Sequence, residues 1–547
     1  MPLRKTLLQA LRAEAVRLPV LSGAMLGFAF PTYPFIHLEP LAWIGFVPLL
    51  LQLKKSDSFR AFYRTAYLGM FVFVLCSVWW VALSTAVGGA LMYVAQSFFL
   101  TVPLVVFYFI WKRTSWHIAL IALPFIWTAW EWIYLDMEIS FGWMTLGNSQ
   151  SYLFWLIQYA DLFGVWAISF WIILFNVCML VWYERYQQHR MRWKWLAESG
   201  MVALLLLLPP LAYSLWVLNA PLPTTDKTAK VAIIQPNIDP FVKWERHQEA
   251  FVMQKHYDLT DRALRKEAVD MILYPETTIP FYILEPYNQF HRETLWAKVQ
   301  EWQTPLLTGF PDVVRYSDST QRQATARFDR YTGKYYDSFN SSMLITLDSD
   351  MPQIYHKMKL VPFAERVPYL DYLPLLSTIT IGVAGISSWG KGNEIKLLQF
   401  KTKSGDSLKV CGLICYESIY PGFVAEFVRK GADFLTIITN DGWFGKSYGP
   451  YQHAAFARLR CIETRRAMAR CANTGVSLFI DRYGRGYGEI PWWKEAFTIA
   501  ALEIGTGETF YVRHIDAFAK FCVLISGLCI AAALLYQLVE QPVLRRT

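Results

Sequence analysis

The sequence is poor in charged residues and lacks the common phosphate-binding motifs. Asp, Glu, Lys and Arg make up only 17% of the 547 residues, whereas hydrophobic residues make up 54%. A soluble globular domain has about 25% charged and about 45–50% apolar residues. A disordered chain and a wholly soluble protein are therefore both disfavoured. There is also no internal repeat, no low-complexity tract and no glycine-rich phosphate loop.

Cysteine is scarce as well, and its spacing carries no metal signature. Among the 8 cysteines no CxxC pair occurs, and none stands at metal-ligand spacing from histidine, which disfavours a zinc site. Cys411 and Cys415 are four residues apart on one predicted strand, too far for an easy disulfide. We expect no metal ion and no organic cofactor.

The apolar residues are grouped in blocks long enough to cross a membrane. About 20 apolar residues in a helix span the hydrocarbon core of a bilayer. Such blocks predict seven spans in a membrane region over 1–218 and an eighth in a C-terminal region over 517–547. The eight predicted spans lie at about 18–34, 38–53, 62–84, 88–111, 116–135, 155–183, 199–218 and 517–537. No signal-peptide cleavage site follows the first block, so we expect it to remain as an anchor.

The distribution of Lys and Arg predicts the orientation of these spans. Both residues are frequent before the first span and in every second loop, whereas the alternate loops, at about 32–38, 85–88 and 136–150, contain neither. The positive-inside rule then places both termini in the cytoplasm and the long segment between the last two spans outside. The net charge of +9 is therefore an orientation signal and not a sign of nucleic-acid binding.

The segment at 229–510 has the composition of a soluble catalytic domain. Apolar strands alternate with amphipathic helices, which is typical of a layered α/β fold. Strands are predicted at 230–238, 270–274, 305–309, 342–346, 408–414, 434–439 and 475–480, and helices at about 246–267, 289–303, 419–430 and 452–471.

Three stretches of this domain carry residues suited to covalent catalysis. Glu276 follows a proline at the end of an apolar strand, Lys357 and Lys359 precede Glu365, and Cys415 ends a buried strand. Taken alone, each has a commoner structural interpretation, since a free cysteine is usually an inert core residue. Together, a Cys, a Glu and a Lys at strand ends supply a nucleophile, a base and an oxyanion stabiliser.

These residues resemble the Glu-Lys-Cys triad of the nitrilase superfamily, whose fold is a four-layer α-β-β-α sandwich. The closer resemblance is to one membrane branch, the apolipoprotein N-acyltransferase family, and it covers nearly the whole chain. The similar stretches are Phe141–Gln150, Lys243–Trp244, Leu360–Glu365, Ile414–Glu417, Asn440–Gly445, Gly449–His453 and Cys471–Val476. The chain departs from the family pattern at Ala364 and Gly442, where Gly and Thr are more usual.

The resemblance implies a role for each candidate residue. The family's lysine stands eight residues before the Glu of its Pro-Phe-x-Glu run, which selects Lys357 over Lys359. Cys415 is then the nucleophile, Glu276 the base and Lys357 the oxyanion stabiliser. The implied supporting residues are Glu365, which orients the Lys-Glu pair, Tyr416 and Glu417, which shape the pocket behind the thiol, and Trp244, an apolar side chain suited to a lid.

The resemblance also implies an activity and a location. The activity is transfer of a fatty acyl chain from a phospholipid, through a Cys thioester, to the N-terminal α-amino group of a diacylglyceryl-cysteine apolipoprotein. The location is a bacterial inner membrane with a periplasmic catalytic domain, and we expect a monomer. The alternatives are a membrane-anchored amidase with the same triad, an inactive transport or scaffolding protein, and an acyltransferase partner of a polyprenol glycosyltransferase.

Overall fold

The computed structural model divides the chain into two compact units. It describes residues 13–188, 192–220, 222–245, 247–373 and 388–544. One unit contains the described residues up to Ala82, Ala86–Ala220 and those from Asp516 onward. The other contains Leu83–Thr85 and the described residues from 222 to Ile515. In sequence, the bulk of the second unit therefore lies between the last two long helices of the first.

The N-terminal part of the chain is helical. Ser58 and Ser115 cap two of its helices by accepting a hydrogen bond from a backbone N–H of the first turn. The helices are α1 (Glu14–Phe28), α2 (Leu41–Ile44), α3 (Val47–Lys54), α4 (Phe59–Val78), α5 (Val81–Ser84), α6 (Ala86–Arg113), α7 (Trp116–Leu135), α8 (Ala160–Phe163), α9 (Val165–Gln188) and α10 (Arg192–Asn219).

Six helices of the first unit are long and apolar enough to cross a membrane. They are α4, α6, α7, α9, the Gly200–Asn219 part of α10 and the Ala517–Gln537 part of the C-terminal helix, Ala517–Leu544. The first two predicted spans correspond to shorter helices, α1 and the Leu41–Lys54 stretch. The described residues thus contain a membrane helical domain, but the predicted number of eight spans is not established.

The prediction of one span from 155 was wrong at its start. The chain forms turns before the four-residue helix α8, and α9 begins only at Val165. Gly164, which separates the two helices, has a φ of 69°, a left-handed conformation that glycine adopts without steric cost. The uniformly apolar composition of this stretch gave no sign that the helix is interrupted at Gly164.

The Phe141–Gln150 segment is largely buried within the first unit, although it is not an α-helix. Glu131 Oε1 on α7 accepts a hydrogen bond from the backbone N–H of Leu146 at 2.7 Å. A Cβ on Gly147 would lie 2.5 Å from the carbonyl oxygen of Val165, so only glycine fits this approach to α9. Irregular backbone needs such internal partners where water is excluded.

The second unit is built on two β-sheets. The first has the strand order β14-β1-β2-β3-β5-β4, with β6 beside β5, and the second has the order β13-β12-β11-β10-β9, while β7 and β8 form a separate pair. The strands are β1 (Thr224–Gln235), β2 (Met271–Leu273), β3 (Leu306–Arg315), β4 (Arg327–Asp329), β5 (Lys334–Ile345), β6 (Gln353–His356), β7 (Leu397–Lys401), β8 (Ser407–Cys411), β9 (Leu413–Ile414), β10 (Leu435–Thr439), β11 (Met468–Ala472), β12 (Ser477–Ile480), β13 (Gly486–Ile490) and β14 (Ala496–Gly505).

Helices cover the two sheets, which confirms the predicted sandwich. The first sheet packs on α11 (Glu249–Lys266) and α12 (Gln289–Trp302). The second contacts α14 (Gly449–Thr464), against which α13 (Pro421–Arg429) packs, and α15 (Phe510–Arg513) and α16, the C-terminal helix, follow in the chain. On α11 the buried residues recur three or four positions apart, as at Val252, His256 and Leu259. This spacing gives the helix one face for the sheet.

The predicted helix at 452–471 was wrong at its C-terminal end. Helix α14 ends at Thr464, and Arg465 has a φ of 50°, which stops the helix. The following residues form β11, which pairs in parallel with β10. Strand pairing thus overrides the local pattern, and β14, which pairs with β1, was also missed.

Candidate active site

The three residues predicted to be catalytic all lie just beyond the ends of strands. Glu276 lies three residues after β2, Lys357 directly follows β6, and Cys415 directly follows β9. The structure brings them together: Lys357 Nζ lies 3.2 Å from Glu276 Oε1, and both charged groups act on the Cys415 thiol. Sites in α/β folds commonly form at such strand ends.

A second carboxylate and an amide complete the buried cluster around Lys357. Glu365 Oε1 accepts a hydrogen bond from Lys357 Nζ at 2.8 Å. The Asn340 side-chain amide donates to Glu276 Oε1 at 2.8 Å and to Glu365 Oε1 at 3.0 Å. Lys357 and Asn340 therefore both bridge the two carboxylates. Asn340 was missed from the sequence, because it stands among other polar residues of β5 and nothing local sets it apart.

Lys357 is held as a permanent cation. Burial alone would lower the pKa of Lys357, but the carboxylates of Glu276 and Glu365 outweigh it and raise this pKa above its usual value. The ammonium group is therefore suited to stabilising negative charge and unsuited to proton exchange near neutral pH.

A second buried lysine lies behind Glu276. Lys243 Nζ donates to Thr277 Oγ1 at 2.8 Å and to the carbonyl oxygen of Glu276 at 3.4 Å. Burial lowers the pKa of Lys243 to about 8, against the attraction of Glu276. The predicted supporting residue Trp244 is half-buried beside it, with its ring 5.7 Å from Lys243 Nζ. From the sequence, only the tryptophan of this pair was expected to have a role in the site.

Cys415 differs from the other cysteines of the second unit. All eight cysteines of the chain are free, but Cys411, Cys461 and Cys471 are fully buried whereas Cys415 is partly exposed. Burial and the Glu276 carboxylate raise the pKa of the Cys415 thiol well above its usual range, while Lys357 acts in the opposite direction. The resting thiol is therefore protonated, and it needs a base at the moment of attack.

The turn that carries Cys415 is strained and tied down. Cys415 has a φ of 50°, a left-handed conformation that costs a non-glycine residue about 1–3 kcal/mol. Ser418 Oγ donates to the carbonyl oxygen of Cys415 at 2.8 Å. The predicted supporting residue Tyr416 is buried and packs edge-on against the ring of Tyr420 at 5.4 Å. The turn thus presents the thiol while the neighbouring side chain anchors it.

Glu417 connects the segment around Lys357 to strand β9, which precedes Cys415. Its Oε1 accepts hydrogen bonds from Tyr355 Oη at 2.6 Å, from Met358 N at 2.7 Å and from Lys359 N at 3.2 Å. Its Oε2 accepts from Ile414 N at 2.9 Å. Burial raises the pKa of Glu417 to about 7, although these donors favour the charged form. Glu417 therefore links the backbone beside Lys357 to the backbone just before Cys415.

Within the described part of the chain, no group of three or more His, Cys, Asp or Glu side chains is arranged to hold a metal ion. What the site offers chemically is a free thiol on a partly exposed residue, a carboxylate whose charge acts on that thiol, and a fixed cation. This combination suits acyl transfer through a covalent intermediate.

Comparison with known proteins covers both units. Residues 230–510 match the carbon-nitrogen hydrolase family, and residues 22–178 match the apolipoprotein N-acyltransferase N-terminal domain. A solved yeast structure, a Saccharomyces cerevisiae member of branch 10 of the nitrilase superfamily, is 16% identical with a TM-score of 0.35, over 53% of this chain and 93% of that one.

Two relatives that match over nearly their whole length are both apolipoprotein N-acyltransferases. The apolipoprotein N-acyltransferase of Chlorobaculum tepidum is 46% identical over 522 residues, which cover 95% of this chain and 96% of the relative. That of Geobacter metallireducens is 31% identical over 527 residues, which cover 95% of this chain and 94% of the relative. With both family matches and this degree of identity, the chain belongs to the apolipoprotein N-acyltransferase family.

Proposed function

We propose that this enzyme transfers a fatty acyl chain from a phospholipid to the N-terminal α-amino group of a diacylglyceryl-cysteine apolipoprotein. That the acceptor is a nitrogen of an apolipoprotein follows from the name of the family, whereas the diacylglyceryl-cysteine α-amino group and the phospholipid donor are our assignment. The observation that carries the proposal is the partly exposed thiol of Cys415 beside Glu276 and Lys357. This arrangement provides for a thioester intermediate.

The first half-reaction loads the enzyme. Glu276 takes the proton of the Cys415 thiol as the sulfur attacks the ester carbonyl of the phospholipid. Lys357 Nζ and the backbone N–H of Tyr416 stabilise the oxyanion of the tetrahedral intermediate, and one such donor typically contributes about 3–4 kcal/mol. When the intermediate collapses, the ester C–O bond breaks, Glu276 returns its proton to the departing lysophospholipid, and an acyl thioester remains on Cys415.

The second half-reaction delivers the acyl chain. The α-amino group of the apolipoprotein attacks the thioester carbonyl, and Glu276 accepts a proton from this amine. The C–S bond then breaks, the sulfur recovers the proton, and an amide is formed. Because one covalent intermediate joins two half-reactions, the kinetics are expected to be ping-pong.

The surrounding residues keep this geometry. Asn340 and Glu365 hold Lys357 and Glu276 at a fixed separation through the hydrogen bonds they share. Glu417 keeps the backbone beside Lys357 against the backbone beside Cys415. Trp244 contributes an apolar side chain on the Glu276 side, suited to shielding the thioester from water.

We also propose a cellular location and a membrane orientation for the protein. The protein is an integral protein of the bacterial inner membrane and acts as a monomer, with its catalytic domain, residues 229–510, in the periplasm. Helices within 1–218 and 517–547 span the membrane and leave both termini in the cytoplasm. The supporting observation is the alternation of loops with and without Lys and Arg.

The test is a two-stage transfer with the purified full-length protein in detergent. Phospholipid with a labelled acyl chain is added first and a diacylated lipopeptide second. We expect the label on the peptide amine only after the second addition. Label released as free fatty acid, with none on the peptide, would contradict transfer and favour the amidase-like alternative, in which water is the acceptor.

A further inference from the structure

The pairing of two strands places a hydroxyl next to the nucleophile. Strands β9 and β10 are parallel, and Ile414 pairs with Ile438. Cys415 directly follows Ile414, and Thr439 follows Ile438 as the last residue of β10, so these two residues lie side by side at the strand ends. Thr439 is fully buried, and its hydroxyl lies close enough to the Cys415 thiol to lower the pKa of that thiol.

The hydroxyl of Thr439 forms a hydrogen bond with a charged side chain. Thr439 Oγ1 donates to Asp441 Oδ1 at 3.0 Å. Asp441 is itself held in place, because its carboxylate forms hydrogen bonds with His453 Nδ1 and Arg470 Nη2, each at 2.8 Å. Burial alone would raise the pKa of Asp441, but Arg470 and His453 outweigh it and hold this pKa well below its usual range. The carboxylate therefore remains an acceptor throughout the working pH range.

One hydrogen on Thr439 thus faces two acceptors, an aspartate oxygen and a sulfur. We propose that Thr439 is a further catalytic residue, whose hydroxyl turns its hydrogen from Asp441 to the Cys415 sulfur when Glu276 removes the thiol proton. The step transfers no proton to or from Thr439, since the hydroxyl keeps its hydrogen and exchanges one acceptor for another. The inference rests on the proposed function only in taking Cys415 as the nucleophile.

The other groups around the sulfur show what this hydroxyl adds. Glu276 after β2 and Asp441 after β10 favour the protonated thiol, whereas Lys357 after β6 favours the thiolate. Thr439 also favours the thiolate, but it adds no charge to the cluster. A tenfold larger thiolate fraction lowers the intrinsic nucleophilicity of the sulfur by only about threefold, so the net effect is a faster attack.

The test is the alkylation rate of Cys415 without any lipid substrate. Full-length protein in detergent is treated with iodoacetamide over a range of pH, and the labelled Cys415 peptide is quantified by mass spectrometry. Thr439→Ser and Thr439→Ala are the matched pair, because both remove the methyl group and only the serine keeps the hydroxyl. At each pH below the thiol pKa, we expect the alanine variant to react about 3- to 10-fold more slowly than the serine variant.

Equal rates for the two variants would overturn the inference. Thr439→Val, which keeps the shape of the side chain without the hydroxyl, is expected to follow the alanine variant and replaces it if alanine does not fold. A failure of this inference differs from a failure of the proposed function. Equal alkylation rates together with complete loss of transfer in Cys415→Ala would sink only the role of Thr439, whereas transfer that survives in Cys415→Ala would sink the function.

Discussion

The two units of the chain bury polar side chains for different purposes. In the second unit, charged groups of both signs surround a reactive thiol: Glu276, Glu365 and Lys357 meet at the strand ends beside Cys415. Burying such charges is costly unless each is paired. Their gathering around one partly exposed nucleophile is therefore the mark of a chemical site.

In the first unit, the buried polar groups are mostly neutral and serve the backbone. Asn176 Oδ1 on α9 accepts from Phe46 N at 2.8 Å, and its amide nitrogen donates to the carbonyl oxygen of Ala42 at 2.7 Å. These bonds satisfy backbone groups where the helical segments α2 and α3 meet. We therefore expect that substitutions around Cys415 in the second unit alter its reactivity, whereas substitutions of buried polar residues in the first unit alter stability.

The largest expected effect is that of Lys357→Met. The change removes the oxyanion stabiliser and leaves the buried Glu276 carboxylate facing that of the partly exposed Glu365, so kcat should fall about 10²- to 10³-fold. The rate of acyl transfer measures this. Lys359→Met is the matched control, since Lys359 Nζ lies over the ring of Tyr420 at 5.0 Å. An equal loss in both variants would contradict the selection of Lys357.

The next effect tests a residue that the sequence analysis missed. Asn340→Ala removes the amide that bridges Glu276 and Glu365, and kcat should fall about 10- to 100-fold with little change in KM. The neighbouring Ser341→Ala is the control, because among the described residues the side-chain hydrogen bond of Ser341 is a local one, to the carbonyl oxygen of Phe339. A loss confined to KM would show that Asn340 serves substrate binding instead.

A smaller effect is expected in the first unit. Asn176→Leu leaves the N–H of Phe46 and the carbonyl of Ala42 without their partner, which should lower the free energy of unfolding by about 2 kcal/mol. Thermal unfolding in detergent measures this, with Asn219→Leu at an exposed helix end as the control. The alkylation rate of Cys415 should stay unchanged. A changed rate would break the division of roles between the units.

The smallest effect concerns His256, a buried polar group of the second unit outside the cluster around Lys357. Burial lowers the pKa of His256 to about 3, against about 6.5 in the unfolded chain. The unfolded state therefore binds more protons between these values, and stability falls as the pH drops below 6.5. At pH 5.5 this linkage amounts to about 1.4 kcal/mol.

The check is the pH dependence of unfolding in two variants. His256→Phe should lose less stability between pH 7 and pH 5.5 than the parent protein, because it has no group to protonate. His247→Phe, at an exposed position, should behave as the parent does. An unchanged slope in His256→Phe would contradict the assignment.

Two of the residues proposed to be catalytic, Glu276 and Cys415, stood out in the sequence because each follows an apolar strand, whereas Lys357 was selected by its spacing from Glu365 in the family pattern. Asn340 and Thr439 lie within buried strands, and nothing local distinguishes a catalytic residue there from a satisfied core residue. Their roles depend on the pairing of strands that are far apart in sequence. The number of membrane helices was not predictable for a related reason: apolar composition does not show where a helix breaks, as it does at Gly164.

The central claim is that Cys415 carries the acyl chain. The most direct measurement is the intact mass of the full-length protein after incubation with phospholipid alone, in the parent protein, in Cys415→Ala and in Cys411→Ala. We expect the mass of one acyl chain on the parent and on Cys411→Ala, removed by neutral hydroxylamine, and no added mass on Cys415→Ala. An acyl adduct that persists in Cys415→Ala, or an absence of adduct in all three proteins while transfer proceeds, would contradict the account.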